Sequence, residues 1–90
     1  MIQGISLANR GMGRAGKALK KALQTHRISQ NKLAVTLGVD RSIVFRWHHE
    51  QTDPTGETIV EIVNALKEID SAAAKTFVEL YLGELVKGEE

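Results

Sequence analysis

The chain has no cysteine, so it can build neither a disulfide framework nor a thiolate metal site, and a cytoplasmic location fits. No stretch approaches the roughly 20 apolar residues that a membrane helix requires. The segment from Met1 to Arg14 has neither a continuous apolar core nor a cleavage-like pattern, so export is not expected. No alternating strand pattern appears anywhere, and the single proline, Pro54, leaves long stretches free for helices. Acid is nearly missing from the first half. Residues 1–51 carry nine Lys and Arg against two Asp and Glu, whereas residues 52–90 carry three against nine. That polarity suggests a basic docking side for a polyanion, with the acidic half turned away.

Ninety residues make one domain. Residues 1–13, with Gly4, Gly11 and Gly13 and no sustained period, read as a flexible arm, and its Arg10 either enters a minor groove or is idle. From Arg14 to His26, Ala15, Ala18, Leu19, Ala22 and Leu23 recur at helical spacing. Lys17, Lys20 and Lys21 take the other faces, as solvating charges or phosphate contacts. Ser29 caps a short second helix that ends at Gly38. Asp40 caps a third, spanning Asp40 to Glu50, in which Ile43, Val44 and Trp47 form the buried stripe. Arg41, Ser42, Phe45, Arg46 and His49 point outward. A fourth helix follows Pro54, capped by Asp53 or Thr55, and keeps Ile59, Ile62, Val63, Leu66 and Ile69 in register. The fifth, Ser71 to about Val86, spreads Phe77, Val78, Leu80, Tyr81, Leu82 and Leu85 over more than one face. Part of that surface is expected to meet another subunit or a protein partner.

Two short helices joined at Gly38-Val39-Asp40 have the spacing of a helix-turn-helix. Ala34 is small where the helices cross, Gly38 suits a left-handed turn, and Val44 and Trp47 are apolar where the third helix packs. The run from Ile28 to Val39, with Arg46-Trp47, Pro54 and Glu57-Thr58-Ile59, resembles the Cro-like phage-repressor family of transcriptional regulators over about Arg14 to Ile69. The resemblance implies an all-α, five-helix repressor-like fold, with a helix-turn-helix DNA-binding domain over residues 14–70 and residues 71–90 as a C-terminal helix available for dimerisation. It further implies binding to double-stranded DNA as a homodimer. Arg41, Ser42, Phe45 and Arg46 take the positions that reach base edges, and Gln30, Asn31, Lys32 and His49 those near phosphate. Repression is the expected sense, and a protein-interaction module of antitoxin-like character is the alternative.

Two positions depart from the family. His48 stands where an acidic residue is common, and its usual arginine partner from the first helix is replaced by Leu23, so the pair is lost together and the core is expected to repack. Glu50 stands where a glycine is common, which weakens backbone approach to phosphate and lets the third helix extend further.

Other patterns carry less. Gly11-Met12-Gly13-Arg14-Ala15-Gly16-Lys17 matches nucleotide-binding glycine spacings, but no strand precedes it and Ala18 stands where a Ser or Thr is needed. Its glycines are read as loosening the arm. His48, His49 and Glu50 are sequence neighbours pointing about 100° apart, a poor metal site. His26 suits the carbonyl end of the first helix. No nucleophile, base and orienting acid fall into a catalytic pattern. Neither enzyme activity, cofactor nor metal is expected.

Overall fold

A computed structural model describes residues 13–88, with side chains as far as residue 83. The expected arm therefore lies outside the described residues except for Gly13. All regular structure among the described residues is helical: α1 (Arg14–Thr25), α2 (Gln30–Leu37), α3 (Arg41–His48), α4 (Gly56–Ile69) and α5 (Ser71–Gly88). Short polar side chains start four of them. Ser29 Oγ accepts from the Lys32 N–H at 2.9 Å, Asp40 Oδ1 from Ser42 at 2.9 Å, Thr55 Oγ1 from Thr58 at 3.3 Å, and Asp70 Oδ1 from Ala72 at 3.0 Å. Each bond satisfies a donor that the first helical turn leaves without a partner.

α1 begins differently. Gly13 precedes it in a left-handed conformation, φ 87°, without a side-chain cap, and no acid lies in its first turn. Its N–H donates instead to Asp53 Oδ1, 3.2 Å away in the loop before α4. A β-carbon on Gly13 would lie 2.9 Å from Glu50 Oε1, so the Glu50 carboxylate also sits at the start of α1. Two acids from the α3–α4 connection thus supply the negative charge that favours a helix N-terminus.

The reading of these glycines as loosening the arm needs correction. Gly13 is buried, and Gly16 lies in the buried face of α1, where a β-carbon would fall inside contact distance of the Trp47 carbonyl oxygen and 3.2 Å from its carbon. Their small size lets α1 and the end of α3 approach backbone to backbone.

α3 is shorter than expected and does not run past Glu50. It stops at His48 because Glu50 turns left-handed, φ 60°, with its N–H on the Trp47 carbonyl (3.0 Å) and that of Gln51 on the Arg46 carbonyl (2.8 Å). This is the paired-bond helix ending usually built on glycine. Arg27, φ 57°, closes α1 in the same way, through Arg27 N–H to Gln24 O and Ile28 N–H to Leu23 O.

One core joins all five helices. Leu19, Leu23, Leu33, Val44, Ile62, Leu66 and Phe77 are its largest fully buried side chains, with Trp47 and a set of alanines between them. Burying each large side chain is worth about 1.5–3 kcal/mol. α5 enters this core through Ala73, Ala74 and Phe77, packing along α1 and α4. Tyr81 stacks on Phe77 at 5.9 Å between ring centroids. His26, just after α1, shares a 2.8 Å hydrogen bond with Thr76 Oγ1 through Nε2, and its Nδ1 is 3.6 Å from Asp70 Oδ2. The imidazole ties the end of α1 to the α4–α5 corner.

Candidate nucleic-acid interface

The corner between α2 and α3 is set by a few local choices. Gly38 takes φ 78°, and the N–H groups of Gly38 and Val39 return to the Ala34 carbonyl at 2.9 and 3.0 Å. Ala34 is 1% exposed, so nothing larger than a methyl separates the crossing helices there. Asp40 then restarts the chain as α3. Its carboxyl is held below the usual carboxylate range, first by the Ser42 backbone N–H, then by the Ser42 side chain, with Arg41 and Arg46 adding attraction. The cap is therefore an anion near neutral pH.

Helical spacing divides α3 into two sides. Val44 and Trp47 are buried and Ile43 half-buried, so the helix is pinned along one stripe. Arg41, Ser42, Phe45, Arg46 and His49 are all exposed on the other. Among the described residues, neither guanidinium has an ion-pair or hydrogen-bond partner. Asn31 and Lys32 are exposed and Gln30 half-buried at the start of α2. Gln30, Asn31, Asp40, Arg41, Ser42 and Phe45 surround a depression of about 410 Å³ between the two helix starts. The face is thus a cationic, hydrogen-bonding surface with one large apolar group in it.

Residues 19–71, more than half of the chain, match the family model described as Helix-turn-helix. The chain belongs to the Cro/XRE-type helix-turn-helix family. No curated protein and no solved structure matches it. Helix-turn-helix proteins of this kind are DNA-binding regulators. α2 and α3 are the two helices of the motif.

Within this helix-turn-helix, the departures at 23, 48 and 50 acquire a physical account. Leu23 is 2% exposed and belongs to the core. His48 is half-buried with its Nδ1 closed off from partners, and burial lowers its pKa, with His49 and the Lys20 ammonium opposing protonation further. A neutral imidazole and a leucine thus stand where the family commonly keeps a charge pair. Glu50 adopts the backbone turn without being glycine, and its carboxylate is turned toward Gly13 at the start of α1.

The sequence reading missed the contact between α1 and the end of α3. Its signal was present in the spacing of Gly13 and Gly16, small residues one helical turn apart. The reading also paired His49 with nothing, yet its ring lies 4.0 Å from that of Phe45 four residues earlier, tilted by 38°. No helix of the described residues is long and apolar enough to cross a membrane.

Proposed function

We propose that this chain is a sequence-specific, cytoplasmic regulator of transcription that represses by occupying duplex DNA, with α3 in the major groove. The observation that carries this reading is the outer side of α3, where two guanidinium groups without a partner among the described residues, a hydroxyl and an aromatic ring stand exposed on a helix pinned from behind. Arg41, Ser42, Phe45 and Arg46 contact base edges, with arginine suited to a bidentate bond to guanine O6 and N7. Gln30, Asn31, Lys32 and His49 contact phosphates and fix the register. Two copies form a homodimer through α4 and α5 and read half-sites about 34 Å apart. The exposed Val60, Leu80 and Leu82 offer apolar surface for that pairing.

Those same three side chains, on the acidic half of the chain, favour a second reading as a protein-interaction module of antitoxin-like character. Ionic strength separates the two. Binding that releases counterions from DNA weakens steeply as salt rises, whereas an apolar protein contact is nearly indifferent. The decisive experiment selects bound duplexes from a random pool and titrates salt on the winner. Arg46→Ala is expected to cost about 1–3 kcal/mol on the selected site and little on random duplex. Equal losses on both would remove Arg46 as a reader, and retention of no duplex at low salt would end the DNA reading altogether.

A further inference from the structure

Phe45 is 46% exposed in the middle of a face whose other members are cationic or polar. Arg41 and Ser42 lie one turn before it and His49 one turn after, so all four share a strip of the helix surface. A helical side chain leans toward the turn before its own Cα, and Phe45 accordingly borders the depression between the starts of α2 and α3. The His49 ring covers the ring on its other side, with centroids 4.0 Å apart. Phe45 is therefore a braced apolar group that remains 46% exposed on the outer side of α3.

We propose that the Phe45–His49 pair reads the C5-methyl group of a thymine, with Phe45 as the specificity-determining residue and His49 as its positioning residue. The inference rests on the DNA reading above and specifies the chemistry it takes. An apolar ring in a groove gains only from an apolar counterpart, and the thymine methyl is the one apolar group that the bases of unmodified DNA present in the major groove. Arg41 on the same strip and Arg46 beside it are suited to neighbouring guanines and phosphates, which leaves the ring to add an apolar contact that only a thymine methyl answers. The face of His49 rests on Phe45 while its edge remains free to donate to a phosphate, so one residue can hold the reader and set its depth.

Deoxyuridine replaces thymine without altering the hydrogen-bonding edge and removes only the methyl. Replacing each thymine of the selected duplex in turn is expected to weaken binding about fourfold at one position of each half-site, the loss of one buried methyl. Phe45→Ala should bind the thymine and uracil duplexes equally. His49→Ala should reduce the discrimination, and His49→Phe, which keeps a ring there, should retain it while losing any phosphate contact. Thermal melts of the free variants establish that the exposed substitutions leave the fold intact. A selected site without thymine, uniform tolerance of uracil, or discrimination that survives Phe45→Ala overturns the proposal, as does an intercalating ring, which is indifferent to the methyl. In each of those cases salt-dependent, sequence-selective binding by the wild-type chain leaves the DNA reading standing. Failure to retain any duplex removes both.

Discussion

Gly16→Ala puts the contact between α1 and α3 to a quantitative test. In an isolated helix the change is favourable by about 1 kcal/mol, because alanine loses less backbone freedom than glycine on becoming helical. Here the new β-carbon would meet the Trp47 carbonyl, with the carbonyl carbon at 3.2 Å. Backbone cannot rotate away as a flexible side chain can. α1 and the end of α3 must separate, which loosens Val44 and Trp47 in the core, and overpacking of this kind costs about 1–3 kcal/mol. A backbone obstacle belongs at the upper end of that range, so the net loss should be about 1–2 kcal/mol, or about 4–16 °C in Tm for a domain of this size. Gly83→Ala is the internal control. Gly83 lies within α5 with nothing inside 4 Å of its built β-carbon, so the same chemical change should raise Tm by a few degrees. Circular dichroism melts of both variants beside the wild type make the measurement. A Gly16→Ala protein melting at or above the wild type would refute the close approach, whatever Gly83→Ala does.

Arg27 is exposed and left-handed. Arg27→Gly should therefore add about 0.5–1 kcal/mol, relief of β-carbon strain outweighing the extra backbone entropy, as read from the midpoint of urea unfolding. His48 confers an acid sensitivity. Its folded pKa lies below the ordinary 6.5, so the unfolded chain takes up the proton first; its contribution is complete above 6.5 and is lost as pH falls below that value toward the folded pKa. Tm should accordingly drop on acidification through that window, and His48→Gln should flatten the slope there; an unchanged slope counts against the buried neutral imidazole. Replacing Asp40 by Ala should lower both Tm and duplex affinity, whereas Asp40→Asn should preserve much of each, because the amide oxygen can still accept the Ser42 N–H.

What could be read from the sequence was mostly local. Ser29, Gly38 and Asp40 act within a few residues of themselves, and each is found at the helix boundary its chemistry suggests. The buried stripe of Val44 and Trp47 likewise follows from helical period alone. Non-local requirements were harder to see. Gly13 and Gly16 are small because of residues more than 30 positions later, and a motif scan instead sees a nucleotide loop or a loose arm. Glu50 looks like a helix former in sequence, yet its backbone turns left-handed where α1 receives its side chain. The alanines of α5 drew no notice beside its larger apolar residues, although Ala73 and Ala74 bring that helix close enough for Phe77 to be fully buried. The Phe45–His49 contact, by contrast, is a local i, i+4 pair that helical spacing already offers.

The family match spans residues 19–71, and it leaves out both Gly16 and Phe77. The stretch shared with other regulators is thus smaller than the piece that must cooperate to fold. Transplanting only the shared stretch into another protein would strip α3 of its abutment at one end and leave a benzyl-sized hole in the core. The placement of α3 therefore depends on residues at both flanks of the shared stretch as well as on those within it.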